Sequence, residues 1–304
     1  MLTVVGLGPV DPEIVQPVLG PQIRFIDAPS HADLAEASGA IVRAAYVVGV
    51  DQLDAMPHLK VIARTGVGTE LVDVAAAALR NIPVLITPGS NTNAVAEGVF
   101  AQTLHLVKRL GPLTQIVAQG RWSERTNYPV HDVEDATIGI VGYGRIGRRV
   151  AEIASAFGMR VLAFDPYADI PAERRVADLA ELAQRSNVIT LHVPLTEETR
   201  HMVNADFLDA MPPGAVLINC GRGPLLELEA AHAALISGHL GGLGLDVFDE
   251  EPPAFHPIFS HENVVLTPHV MGLSINATRE TFRQAANGVK DVLEGRPAPH
   301  QVLP

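Results

Sequence analysis

Along the first ninety residues, short runs of β-forming residues alternate with Ala- and Leu-rich stretches. The runs are Thr3 to Gly6, Gln22 to Ile26, Ala45 to Val48, Val61 to Arg64 and Val84 to Ile86. Strands alternating with helical stretches predict βαβ units and a parallel sheet. A helix is then expected from about Ala94 to Leu110, with Asn93 as N-cap and Gly111-Pro112 as its stop signal. Its residues Val95, Val99, Phe100, Leu104 and Val107 fall on one face.

A polar, irregular stretch from Gly120 to Asp135 follows, and a second βαβ series begins at Thr137. Its strands are expected at Thr137 to Val141, Arg160 to Phe164, Val188 to His192, Ala215 to Asn219, Gly242 to Leu245 and Val264 to Leu266. A last helix, about Ile275 to Leu293, ends at Gly295 and is expected to pack on the first series. The fold class is therefore α/β with two doubly wound parallel-sheet domains, one Rossmann-type and one flavodoxin-like. The boundaries expected are 1–93 completed by 274–304 for one domain, and 94–273 for the other.

Composition narrows the picture further. At 304 residues, with 47% hydrophobic and 18% charged positions, the chain is long enough for two cored domains. A net charge of -12 argues against a nucleic-acid partner, since no basic patch offsets it. No apolar run approaches the ~20 residues a bilayer span needs, so no membrane partner is expected. Met1 to Val5 reads as a first strand, not as a signal peptide. Cys220 is the only cysteine, which rules out a disulfide within the chain and suits a reducing cytoplasm. No metal-ligand spacing stands out.

The sharpest motif is Gly142-Tyr143-Gly144-Arg145-Ile146-Gly147, placed after an apolar strand and at the start of a helix. Asp165 ends the next strand, 18 residues beyond Gly147. Such glycines permit a tight turn, close approach of backbone to a pyrophosphate, and close helix–strand packing. An acid at that distance accepts from the adenine ribose hydroxyls and repels a 2′-phosphate, which predicts NAD over NADP. The bland alternative is a turn in an α/β domain. Gly6-Leu7-Gly8 lacks the third glycine and reads as a loop.

Candidate chemistry lies past strand ends. Arg222 sits in Asn219-Cys220-Gly221-Arg222-Gly223, Glu251 in Asp249-Glu250-Glu251-Pro252-Pro253, and His269 in Thr267-Pro268-His269-Val270. Open α/β sheets bind ligands outside the carboxyl ends of their strands. Reduction of a 2-oxo acid requires a proton donor, a cation for the carboxylate and a hydride source. A carboxylate beside an imidazole favours its charged form and orients the ring. Taken singly, each residue has an ordinary reading as a surface ion-pair member, a loop acid or a turn histidine. Cys220 has no local base to make it a nucleophile.

Together, the glycine motif, Asn219 to Gly223, Leu245-Asp246-Val247-Phe248 with Glu251-Pro252, and Thr267-Pro268-His269 resemble the D-isomer-specific 2-hydroxyacid dehydrogenases. Among these the D-3-phosphoglycerate dehydrogenases are most similar, and the resemblance runs from about Ile41 to Gly295. It implies that Arg222 holds the substrate carboxylate, His269 exchanges the proton and Glu251 tunes the histidine. It also implies that Thr65-Gly66-Val67-Gly68 receives the carboxylate on backbone amides, with Val67 and Gly68 in contact. Cofactor contacts are implied for Thr190, Val193, Pro194, Cys220, Asp246 and Gly272. A phosphate-bearing acid would call on Arg43, Arg64 and Arg125, each of which could equally be an ordinary surface arginine.

The resulting expectation is an NAD-dependent oxidoreductase acting on a small 2-hydroxy or 2-oxo acid, with 3-phosphoglycerate first. Alternatives are a glyoxylate/hydroxypyruvate reductase, a dehydrogenase of another anionic acid such as sulfolactate, and, least favoured, formate oxidation. A non-catalytic NAD-sensing interaction protein is the alternative of a different class. The resemblance further implies a homodimer formed through the cofactor domain and the segment near Gly120-Arg121-Trp122.

Overall fold

The computed structural model describes residues 1–304 and divides them into two compact units, 1–91 with 273–304, and 92–272. The first unit opens with β1 (Leu2–Leu7), α1 (Pro12–Leu19), β2 (Ile23–Ile26), α2 (His31–Ala35) and β3 (Gly39–Val42). It continues through α3 (Val50–Asp54), β4 (Ile62–Arg64), α4 (Val74–Leu79) and β5 (Val84–Leu85). The second contains α5 (Thr92–Val107), α6 (Leu110–Ala118), β6 (Thr137–Val141), α7 (Arg145–Ala156), β7 (Arg160–Phe164) and α8 (Leu179–Arg185). β8 (Val188–Leu191), α9 (Ala205–Ala210), β9 (Ala215–Asn219), α10 (Leu228–Ile236), β10 (Leu240–Leu245) and β11 (Val264–Leu266) complete it. The chain then returns to the first unit as α11 (Ile275–Leu293) and β12 (Gln301–Val302).

The first sheet has the order β12-β5-β4-β3-β1-β2, parallel except for β12, which pairs antiparallel with β5. Its five parallel strands follow the flavodoxin-like order. Apolar clusters cover both faces. One gathers Val5, Val42, Leu53, Met56 and Ile62; the other gathers Val15, Leu19, Phe25, Ile41, Phe282 and Val289. α11 supplies part of the second cluster, and Ser274 caps it by accepting from the Ala277 amide at 3.2 Å.

The second sheet runs β11-β10-β9-β8-β6-β7, all parallel. Beyond β7, Arg175 makes a single parallel bridge to Ala163. That bridge is a remnant of the third strand of the Rossmann order, so the pattern is 3-2-1-4-5-6 with one strand reduced to a residue and a further strand added at the far edge. The chain reverses its winding at β6, with β7 on one side and β8 on the other. No helix in the chain is long and apolar enough to cross a membrane.

Two local expectations give way to the structure. Ala45 to Val48 is not a strand, and only Val48 makes an isolated bridge, to Val72. The strand is Gly39–Val42, buried at every position; its Gly and Ala carry little β-propensity, but a central parallel strand needs only an apolar, two-sided run. Gly111-Pro112 does not end the fold's helical region. α5 stops at Val107, Arg109 takes a left-handed φ of 52°, and Pro112 falls in the first turn of α6, where its missing N–H is no loss. The short antiparallel β12 carries too few residues to show a period.

Candidate active site

The glycine motif forms the β6–α7 turn. Gly142 has φ 93°, a conformation that favours glycine, and Gly144 is the N-cap of α7 with no side-chain cap bond. A Cβ on Gly147 would lie 2.1 Å from the Gly142 carbonyl oxygen, so helix and turn touch backbone to backbone. A Cβ on Gly144 would meet nothing within 4 Å, and the residue is exposed. An open cradle at the N-terminal amides of a helix suits a dinucleotide pyrophosphate. Arg145 and Ile146 form the helix's first turn, the former exposed and the latter half-buried.

Asp165, just past β7, holds this turn in place. Its Oδ2 accepts from the Tyr143 amide at 2.8 Å, and its Oδ1 accepts from the Tyr167 and Ala168 amides at 2.9 and 3.1 Å. The acid thus shapes the loop that its charge would also bias against a 2′-phosphate. Arg174 donates to the Tyr143 hydroxyl at 3.0 Å.

In β8, Thr190 is buried and its Oγ1 lies 2.9 Å from Nε2 of His192, just past the strand. His192 Nδ1 is sealed from solvent without a partner, and burial pulls the imidazole down from 6.5 to about 3. Val193 is half-buried and Pro194 exposed.

The acid–base candidates converge at the carboxyl edge of β9, β10 and β11, whose ends Asn219, Leu245 and Leu266 are in register. His269 Nδ1 lies 2.7 Å from Glu251 Oε2, and Glu251 Oε1 accepts from the Phe248 amide at 3.1 Å. The imidazole therefore presents Nε2 as its proton-exchanging nitrogen. His269 has φ 54°, an uncommon conformation for a non-glycine residue and one in which histidine is enriched. Phe248, Pro252, Pro253 and Leu266 join this pair in lining a largely apolar pocket of ≈ 380 Å³.

Arg222 follows β9 and donates from Nη1 to the Gly221 carbonyl at 2.8 Å. Asn219 anchors its loop, donating to the Arg222 carbonyl at 2.9 Å and accepting from the Gly221 amide at 3.0 Å. A Cβ on Gly223 would lie 2.0 Å from the Phe248 carbonyl carbon. The arginine loop and the glutamate loop are thus in backbone contact, which no other residue at 223 would permit.

Asp246 is 2% exposed and accepts from Thr267 Oγ1 at 2.6 Å, the Val270 amide at 2.9 Å and the Met271 amide at 3.1 Å. Burial raises its carboxyl above the ordinary aspartate range, and these hydrogen bonds oppose the rise. Burial also raises the Cys220 thiol, with the Asp246 charge adding to the effect, so the sulfur stays protonated and is no nucleophile. Gly272 is half-buried and follows directly on Met271.

In the first unit, Arg43 stacks over Phe282 at 5.3 Å and burial lowers its guanidinium from the ordinary range. Arg64 is buried and donates to the Thr65 and Ala44 carbonyls. Val67 is exposed and Gly68 half-buried, at the tip of the loop after β4. Arg125 belongs to the second unit, in a 3₁₀ turn (Trp122–Asn127), where it stacks over Trp122 and donates to the Trp122 carbonyl at 3.2 Å.

A second histidine group, Glu229, His232 and His256, lies beside the loop after β10. His256 Nδ1 accepts from the Ile258 amide at 3.1 Å, so the proton of the neutral ring sits on Nε2, which faces Glu229 Oε1 at 3.1 Å. A metal ion would need that same nitrogen, and the trio reads as a hydrogen-bonded cap.

Sequence reasoning passed over Gln102 and gave Thr267 no role beyond its place in the Thr267-Pro268-His269 motif. For Gln102 the one available signal was a glutamine among the mostly apolar residues of α5.

Residues 100–271 match the family model described as the D-isomer specific 2-hydroxyacid dehydrogenase, NAD binding domain. A hydroxypyruvate reductase of Thermotoga maritima is 37% identical over 245 residues, 79% of each chain. A D-3-phosphoglycerate dehydrogenase of Methanocaldococcus jannaschii is 35% identical over 88% of this chain, which spans about half (52%) of that relative's length. Among solved structures, an Aquifex aeolicus D-lactate dehydrogenase complexed with NAD and lactic acid is 29% identical, with a TM-score of 0.82 over 96% of both chains. An NADPH-dependent glyoxylate/hydroxypyruvate reductase of Sinorhizobium meliloti is 29% identical, with a TM-score of 0.86 over 99% of this chain and 98% of that one.

Proposed function

The chain belongs to the D-isomer-specific 2-hydroxyacid dehydrogenase family, and we propose that it interconverts a small D-2-hydroxy acid and its 2-oxo acid with NAD as cofactor. The observation that carries this reading is the 2.7 Å contact between His269 Nδ1 and Glu251 Oε2, at the carboxyl edge of the sheet that bears the dinucleotide turn.

When bound, the nicotinamide supplies or receives the hydride at the substrate's C2. His269 does the proton work. With Nδ1 held by Glu251, neutral Nε2 takes the hydroxyl proton during oxidation, and protonated Nε2 returns it to the carbonyl oxygen during reduction. Arg222 is the cation for the substrate carboxylate, and a guanidinium suits that bidentate role. The apolar wall of Phe248, Pro252 and Leu266 strengthens these interactions by excluding water.

Asp165 supports NAD over NADP, because a 2′-phosphate would meet its charge. 3-Phosphoglycerate is the first substrate to try. The guanidinium donors of Arg64, turned to two backbone carbonyls, favour the unphosphorylated acids hydroxypyruvate and glyoxylate as close competitors. We extend the reading to a homodimer in the cytoplasm. Exposed Leu110, Val117 and Trp122 on and after α6 support the dimer, and the single cysteine supports the compartment.

The test follows absorbance of NADH and NADPH, side by side, against 3-phosphoglycerate, hydroxypyruvate, glyoxylate, D-lactate and sulfolactate. Wild type is compared with His269→Asn, which tolerates the left-handed backbone. One acid turned over with NADH, and about 10²- to 10⁴-fold more slowly by the variant, is the expected result. Silence on every acid despite tight NADH binding would overturn the enzyme reading, and equal use of NADPH would overturn the cofactor preference.

A further inference from the structure

Gln102 is a polar side chain only 1% exposed, on a helix whose other buried positions are mostly apolar. Such a group is costly unless its hydrogen bonds are made. Its Nε2 donates to Thr267 Oγ1 at 3.1 Å, and its Oε1 accepts from Cys220 Sγ at 3.8 Å.

The directions of these bonds are forced. The Asp246 carboxylate offers only acceptors, so the Thr267 hydroxyl proton points to Asp246, and the Thr267 oxygen is left to accept from Gln102. The protonated thiol of Cys220 fixes the other end of the amide. The sheet makes room for this arrangement, since a Cβ on Gly244 of β10 would lie 2.5 Å from Gln102 Oε1. Beyond Thr267, the amides of Val270 and Met271 donate to the same Asp246. Pro268 and His269 are therefore the two residues of a short turn whose ends are both tied to Asp246, and Glu251 holds the His269 ring.

We propose that Gln102 is a positioning residue for His269, acting through Thr267 and Asp246 to keep that turn, and with it the imidazole, in its reacting geometry. This rests on the proposed acid–base role of His269. The titratable group bonded to Gln102 is Cys220, with Asp246 one hydrogen bond further on through Thr267; Glu251 and Asp246 face His269.

Full-length Gln102→Met keeps the volume and removes the donor. Gln102→Glu restores a donor only when its carboxyl is protonated. For Gln102→Met, kcat on the acid that wild type turns over should fall about tenfold, with KM for NADH changed less than about twofold. Gln102→Glu should recover toward wild type as pH is lowered and decline as it is raised, whereas Gln102→Met shows no such recovery.

A readout independent of turnover is the ¹⁵N spectrum of the His269 ring, in which the Glu251-bonded Nδ1–H signal should shift or broaden in Gln102→Met. An unchanged ring spectrum, or both variants losing activity in equal proportion at every pH, would overturn the proposal. A wild type inactive on every acid, yet showing the expected ring shift, would instead count against the enzymatic reading alone.

Discussion

Replacing Gly147 by alanine sets two effects against each other inside one turn of helix. Alanine is favoured over glycine by about 1 kcal/mol in a helix interior, so on propensity alone the variant gains stability. The added Cβ, however, would sit 2.1 Å from the Gly142 carbonyl oxygen and 3.1 Å from Ile140 Cγ2. An ordinary carbon–oxygen contact is longer by roughly 1 Å, and the obstructing atom is backbone, so α7 or the turn must move by about that much. Overpacking of this kind costs about 1–3 kcal/mol, which equals or exceeds the propensity gain. The shift also draws the helix amides away from the site of the pyrophosphate. We expect urea unfolding to show a net loss of up to about 2 kcal/mol, and fluorescence titration to show NADH binding weakened by about tenfold or more.

Gly144→Ala separates the two consequences, because its Cβ meets nothing within 4 Å. That variant should unfold like wild type and still lose NADH affinity, since the methyl group occupies the open side of the cradle. A Gly147→Ala protein as stable as wild type and binding NADH equally well would refute the packing argument. A Gly144→Ala protein with normal affinity would refute the placement of the pyrophosphate.

Two further outcomes are expected. His192 is depressed from 6.5 to about 3 by burial, so the unfolded chain binds a proton there that the fold does not; its stability contribution is complete above about pH 6.5 and is lost as pH falls toward 3. Urea unfolding should therefore show wild type losing about 2–3 kcal/mol more than His192→Gln between pH 7 and 4.5, and equal losses would remove the effect. Trp122, 63% exposed, should lie in the dimer contact. Sedimentation should give a dimer for wild type and a monomer with unchanged circular dichroism for Trp122→Glu, and a monomeric wild type would end that reading.

The chain's periodicity revealed most of the strands because each is a compact apolar run with turn residues at its ends, as with β6, β7, β9 and β11. It misled where burial on both faces removed the need for β-branched residues, as in Gly39–Val42. It misled again where Gly111-Pro112 served equally well as a stop or a start. At the site, Glu251 and His269 could be named from their chemistry, but their contact depends on the register of β10 and β11, which sequence spacing does not express. Gln102 stands 165 residues from Thr267 in the chain, and no local pattern couples them. Asp165 was legible as an acid at the right distance, yet its role in clamping the Tyr143 amide appeared only with the fold.

The first unit is built from both ends of the chain, with residues 92–272 inserted between its parts. During synthesis, the inserted unit has every strand of its sheet available once Leu266 has emerged. The earlier unit must wait. Its β1 to β5 precede the inserted unit, but the helix carrying Phe282 and Val289 against Ile41 and Val61, and the strand that pairs with β5, are made only after it. One apolar face of the first sheet is therefore without part of its cover until the whole inserted unit has been made. The unit that begins first is completed only after the one inserted within it, and its nascent sheet is the part of this chain most in need of protection from aggregation.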